Sequence, residues 1–378
     1  MKNIVLTALA ALLVVGCSPR QSRITVSGLD PARFDSTYND LPVALYTLKN
    51  DAGMEVCITN FGGRIVSIAV PDRNGAMCDV VLGFDNIADY FPENNSSNFG
   101  AVIGRYGNRI DQGRITIDGE TYQLPRNNYG HCLHGGDNGW HYRVFEVVEA
   151  DESHIRLALE SPDGDAGFPG TVKAAVTYTL TDVNALDIAY EATSDAPTVI
   201  NMTNHSYFNL SGDPDNHTIL DDYLTINASG FTPIDDTFMT SGEIAKLEGT
   251  PFDFRTPHLI GERIDADSEQ LRNGHGYDHH WVLDTGGDIT AEAAELYCPA
   301  TGIDMKVYTT EPGLQVYVGN FLDGSVKGKK GICYQLRTAI CMETQHYPDS
   351  PNKPQWPSVE LRPGDTYRSH SIYAFCVK

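Results

Sequence analysis

Positive charge is in short supply. The 378-residue chain carries 27 Lys and Arg against 50 Asp and Glu, a formal net charge of -23. A surface that acidic repels phosphate backbones and anionic lipid, which sets nucleic acid aside as a partner and leaves neutral ligands open. Long apolar runs are missing too. The one extended stretch, Ile4 to Val15, is too short to cross a bilayer. The cysteines after Cys17 (Cys57, Cys78, Cys132, Cys298, Cys333, Cys341 and Cys376) show no C-x-x-C pair and no metal-finger spacing. An odd, scattered set argues against a disulfide framework, and most read as small buried hydrophobes. Long helical periods, Pro/Ser linkers, fixed-period repeats and low-complexity tracts are all absent from the body of the sequence, which excludes bundles and arrays of modules.

What is present at the N-terminus reads as a targeting segment. Lys2 precedes the apolar run, and Gly16-Cys17 follows it. Leu13-Val14-Val15-Gly16-Cys17 resembles the bacterial lipoprotein signal, in which the cysteine is lipidated and becomes the mature N-terminus. A simple secretory signal is the alternative. On the lipoprotein reading, residues 1–17 are the signal, 18–23 a tether, and 24–378 the folded body, exported and held to a membrane through Cys17 rather than spanning it.

From Ile24 onward, short alternating segments are separated by Gly, Asn and Asp turns. Val43-Ala44-Leu45-Tyr46 and Glu55 to Thr59 flank Asp51-Ala52-Gly53 as a hairpin, and Arg64 to Val70 runs into Pro71-Asp72-Arg73-Asn74-Gly75. Arg114 to Ile117, Asp118-Gly119 and Thr121 to Leu124 give the clearest hairpin signal. In Thr171 to Leu180, Val172, Ala174, Val176, Tyr178 and Leu180 alternate with polar residues, as a half-buried strand should. Glu292 to Leu296 reads as one helical turn. The sum predicts an all-β protein, a large antiparallel β-sandwich in one domain, with long loops at Phe84 to Phe99 and Asp265 to Tyr277 available to carry a site.

Five polar clusters stand where a core would not want them. Asn201 to Leu210 (NMTNHSYFNL), read as extended, points Asn201, Thr203, His205 and Tyr207 one way and Met202, Asn204, Ser206 and Phe208 the other. His205 is the one group there that can exchange a proton near neutral pH. Gly104 to Arg109 supplies forked donors for sugar oxygens or a carboxylate. His131 to Gly136 offers His134 beside Gly135-Gly136, which would let backbone approach a ligand. In His275 to Trp281 the His-rich pattern invites a metal, but His279 and His280 would face opposite ways on a strand and no supporting ligand spacing exists. No metal is assigned, and Asp278 fits a hydroxyl acceptor better. Lastly, Glu343 lies on a strand with Ala339, Cys341 and Gln345 on its face and Ile340 and Met342 opposite. A carboxylate among apolar residues is functional or paired, Arg337 being the candidate structural partner.

Taken in order, GRYGNRI, CLHGG, NHSYFNL, GYDHH, PGLQVYVGNFLDG and METQ resemble the galactose mutarotases (aldose 1-epimerases), from about Ile24 to the C-terminus. The resemblance implies a β-supersandwich that interconverts the α and β anomers of free hexoses such as galactose or glucose. It implies that His205 is the general acid and Glu343 the general base, and that Asn108, Arg109, His134, Asp278 and Gln315 bind the substrate. Tyr207 falls in a matched motif without a firm role. No cofactor is implied. Two departures stand out: Gly107 where Ala is usual, and Trp140-His141-Tyr142-Arg143 in a stretch that could shape the cleft rim. Anomerisation takes a proton from the C1 hydroxyl and delivers one to the ring oxygen, with the two groups expected on opposite sides of the sugar. Ionised Glu343 and protonated His205 together imply a bell-shaped pH dependence. The rival readings are a glycoside hydrolase using Asp278 and Glu343, and a surface sugar-binding module.

Overall fold

The computed structural model describes residues 24–95 and 97–378. The expected signal, tether and lipid-bearing Cys17 lie outside the described residues. Among the described residues there is a single α-helix, the five-residue Glu269–Asn273, and no helix is long and apolar enough to cross a membrane.

Two large sheets carry the architecture. The nine-stranded sheet runs Glu146–Ala150, His154–Ser161, Val172–Leu180, Ala185–Ser194, Tyr367–Val377, Ile303–Thr309, Glu292–Tyr297, Tyr223–Ile226, His258–Leu259. Its neighbours are antiparallel, with Val172↔Ser194 and Leu180↔Leu186 fixing the longest hairpin. The six-stranded sheet runs Tyr207–Phe208, Ile340–Gln345, Gly313–Tyr317, Asp278–Leu283, Ala228–Thr232, Ala245–Lys246. A four-stranded sheet, Leu45–Lys49, Glu55–Thr59, Arg64–Pro71 and Met77–Asp79, closes the body.

Period-2 patterning explains how they pack. Val172, Ala174, Val176, Tyr178 and Leu180 are buried while Lys173 is exposed, so one face of this strand meets the core. Across from it, Leu314, Val316, Ile340 and Met342 of the six-stranded sheet join the same apolar cluster. Each such side chain fully buried contributes about 1.5–3 kcal/mol. Polar links pin the two sheets together: Tyr373 donates its hydroxyl to the Met342 carbonyl at 2.8 Å, and the Thr344 and Ser371 hydroxyls meet at 2.5 Å. The result is the all-β antiparallel sandwich expected.

The turn chemistry holds where it was strongest. Asp118 and Gly119, both at positive φ, join Arg114–Ile117 to Glu120–Gln123. Two local expectations fail. Glu292–Tyr297 is a strand, not a helical turn, because ladders to Tyr223–Ile226 and Ile303–Thr309 on its two sides satisfy its backbone and override local preference. The segment Asn201 to Leu210 is not one strand either. Thr203–His205 pairs with Ala101–Ile103, and Tyr207–Phe208 pairs with Cys341 and Ile340. The break falls at Ser206, whose N–H and hydroxyl both bond Asn204 Oδ1, an Asx turn that competes with the ladder.

Candidate active site

The strand Ile340–Gln345 is buried along its whole length. Its even-numbered residues face the sandwich core, so Cys341, Glu343 and Gln345 project from the other face of the sheet. Antiparallel register then sets side chains in rows. Glu343 stands beside Gln315, which stands beside His280; Cys341 stands beside Tyr317, which stands beside Asp278. Tyr207 extends the second row by pairing with Cys341. Against this face lie the Arg109–Ile110/Cys132–Leu133 ladder and the His205 strand.

A cavity of about 350 Å³ opens between them, within the range of about 300–1,000 Å³ usual for small-molecule sites. Its walls include every residue anticipated from the sequence: Asn108, Arg109, His134, His205, Tyr207, Asp278, Gln315 and Glu343. Asn98, Asn128, Tyr129, Leu133, Tyr317 and Phe321 complete the lining and were not anticipated. Tyr317 was within reach of the sequence, since it lies two residues beyond Gln315 and shares its face. Asn98, Asn128 and Tyr129 come from loops, where no period assigns a direction.

Glu343 and His205 adjoin one another, Oε1 to Nε2 at 3.4 Å, both nearly inaccessible to solvent. They are side by side rather than on opposite flanks of the cavity. O1 and O5 of a pyranose are bonded to the same carbon, so a pair on one flank can reach both. Arg337, the alternative partner of Glu343, bonds Asp265 instead at 3.2 Å. Glu343 Oε2 is buried with no partner. Burial, and then the nearby Asp278 charge, raise the Glu343 carboxyl well above its ordinary range, against a lowering by Arg109. Burial pulls His205 down to about 3. Both shifts favour the neutral forms, which leaves the pair with one proton between them.

The remaining polar groups are set by their own bonds. Asn108 N–H donates to His134 Nδ1 at 3.1 Å, while His134 N–H donates to the Asn108 carbonyl at 3.2 Å. Both residues sit at positive φ to make that exchange. With Nδ1 accepting and the ring kept neutral by burial, the proton of His134 resides on Nε2, which makes it a hydrogen-bond donor. Arg109 gives Nε and Nη2 to Asn128 Oδ1 and lies over the Phe238 ring, its charge centre 4.6 Å from the centroid. Gln315 Nε2 donates to Asp278 Oδ1 at 2.7 Å. Tyr207 stacks on His205, centroids 5.0 Å apart and planes 17° from parallel, holding the imidazole edge toward Glu343.

His134, His205 and Glu343 bring three possible metal ligands within 4.8 Å of one another. The fit is poor: the Asn108 N–H on Nδ1 leaves His134 presenting N–H rather than a lone pair. The His-rich segment behaves as the alternation implied. His279 packs between Phe231 and Phe252 while His280 turns to Tyr347, and both are buried. Gly135 approaches backbone, not ligand: a Cβ there would stand 2.2 Å from the Gly104 carbonyl oxygen. Gly107 has room for little more, since a Cβ would meet Thr203 Cγ2 at 3.1 Å. Trp140 and His141 are buried, and neither they nor Tyr142 and Arg143 line the cavity.

A small polar cleft that sets a carboxyl and an imidazole side by side next to a ring-sized space is suited to acid–base chemistry on a carbohydrate. The comparisons carry this further. The aldose 1-epimerase family model matches residues 44–374. Galactose mutarotase of Rattus norvegicus is 40% identical over 349 residues, covering 90% of this chain and 98% of its own. Aldose 1-epimerase of Escherichia coli K12 is 39% identical, covering 88% and 95%. The crystal structure of a GalM/aldose epimerase homologue from C. elegans superposes with a TM-score of 0.82 at 33% identity, covering 89% of this chain and 99% of that one. Galactose 1-epimerase from Lactobacillus acidophilus gives 0.78 at 28% identity, covering 90% and 97%. The chain belongs to the aldose 1-epimerase family, and its activity is mutarotation, the interconversion of sugar anomers; the hydrolase and binding-module readings are not favoured.

Proposed function

We propose that Glu343 and His205 run this reaction as a base and an acid on adjacent oxygens of a free hexose, galactose and glucose being the first candidates. Glu343 takes the proton of the C1 hydroxyl as the C1–O5 bond breaks and C1=O forms, and His205 gives its proton to O5. The C1 end of the open-chain aldehyde rotates. Closure reverses each transfer: O5 returns its proton to His205 and attacks C1, and Glu343 returns a proton to O1. The pair ends with the proton count it began with, so no cofactor and no net exchange with solvent is required. The 3.4 Å contact lets the one retained proton move from carboxyl to imidazole, giving the reactive form.

Arg109 and the Nε2 proton of His134 steady the charge that grows on oxygen. Asp278 and Gln315, locked together, orient the remaining hydroxyls, with Asn108 and Tyr207 completing the wall. The observation that carries this reading is the Glu343–His205 pair on the floor of a cleft of monosaccharide size. Polarimetry on freshly dissolved α-galactose and α-glucose tests it: acceleration of the optical drift by the protein, abolished in H205N, is the expected result. Unchanged drift in the folded wild-type protein with several sugars would defeat it.

The N-terminal reading is a separate proposal, resting on Lys2, the run Ile4 to Val15 and Cys17. Residues 24–378 would form one catalytic domain exported and tethered through a lipid on Cys17, with 18–23 as the tether. Metabolic labelling with a fatty-acid analogue, compared between the full chain and C17A, decides it.

A further inference from the structure

One polar atom on the cavity wall has no part in the chemistry above. Asn98 Oδ1 is buried without a hydrogen-bond partner, and Asn98 lines the cleft with His205 and Tyr207. A buried amide oxygen left unpaired is costly unless a ligand or water completes it. The backbone beneath it is fixed on both sides. The fully buried Arg64 donates Nη1 to the carbonyls of Ser97 (3.2 Å) and Phe99 (3.0 Å) and Nη2 to that of His141 (2.8 Å). Ala101 N–H closes on the Asn98 carbonyl at 3.0 Å, and Gly100 N–H on that of His205 at 2.9 Å. Phe99 meets Tyr207 edge-on at 4.7 Å. Asn98 is thus tied to the His205 and Tyr207 end of the cleft, whereas Asp278 stands at the other end, across the row Tyr207–Cys341–Tyr317–Asp278.

Sugar connectivity gives that placement a meaning. Around the reacting edge the order is C2, C1 with O1, O5, then C5 with its exocyclic C6. Gln315 adjoins Glu343 in register, and Asn98 lines the cleft two residues before Gly100, which bonds the His205 carbonyl. With Glu343 on O1 and His205 on O5, the C2 side turns to Gln315 and Asp278, and the C5 side turns to Asn98. We propose that Asn98 is a specificity-determining residue that hydrogen-bonds the C6 hydroxyl, so that the enzyme discriminates aldohexoses from sugars lacking that group. An amide offers both donor and acceptor, so either orientation of its head group serves a hydroxyl. This inference rests on the roles assigned above to Glu343 and His205.

The test compares D-galactose with D-fucose, which lacks only the C6 oxygen, and L-arabinose, which lacks C6 altogether, in the wild type and N98A. Wild-type kcat/KM should favour galactose over both, and in N98A the galactose-to-fucose ratio should fall about tenfold, mainly through the galactose KM. Because the readout is a ratio on one preparation, partial loss of folded protein does not affect it. An unchanged ratio, with both sugars falling together or neither falling, overturns the assignment while leaving the acid–base pair standing. Retention of activity by H205N would instead remove the frame on which it was built.

Discussion

The two large sheets of this protein use the same alternation for opposite ends. In the nine-stranded sheet the long strands have a dry face and a wet one, as Val172–Leu180 shows with Val176 and Tyr178 buried and Lys173 exposed. In the six-stranded sheet, Ile340–Gln345 has no exposed residue, yet Glu343, on the face that also carries Cys341 and Gln345, lines a cavity rather than a core. A face buried beneath other polypeptide but left polar holds its groups away from bulk water, and that is what shifts their proton affinities. Both sheets share the apolar core, and the second also sets the positions of the polar groups in the cleft.

The sharpest way to break this comparison is E343Q. It keeps the shape and removes the proposed base, so mutarotation should fall by about 10²–10⁴-fold in kcat, measured by polarimetry, with the circular dichroism spectrum unchanged. I188A is its opposite number in the nine-stranded sheet, where Ile188 is fully buried. It should cost about 2–5 kcal/mol of unfolding free energy in a urea titration, with turnover per folded molecule retained. D278N alters a carboxyl tied to Gln315 on the cavity wall and proposed to orient the sugar. Loss of a charged hydrogen bond, about 1.5–3 kcal/mol, should appear as a kcat/KM decrease of tenfold or more, dominated by KM. The mildest test is pH. Gaining a second proton, at the lowered His205 affinity near 3, would remove the proposed base; losing the last one, at the raised Glu343 affinity, would remove the proposed acid. The profile of kcat should be a bell with a broad top and no inflection near pH 6.5, and a clear break there would show His205 titrating as an exposed ring does.

Much of this was readable beforehand, and the misses share a cause. Alternation located Val172–Leu180 and the opposing faces around Glu343, because a strand's side-chain direction follows from parity alone. Tyr317 obeyed the same rule and was passed over. Asn98 and Asn128 had no such handle, because loop backbone points a side chain by bonds to distant residues, here Arg64 and Arg109. Glu292–Tyr297 was misread because its partners on either side lie far away in sequence. The break at Ser206 was missed because an Asx turn competes locally with a ladder.

The mutual bonds between Asn108 and His134 have one more consequence. They fix that wall, together with the Arg109 guanidinium, as a set of donors with nothing to accept. A hydroxyl or a fluorine at the matching sugar carbon can offer a lone pair there. A protonated amine cannot, and it would meet a cation as well, so a sugar carrying an ammonium group at that carbon should be turned away before chemistry begins.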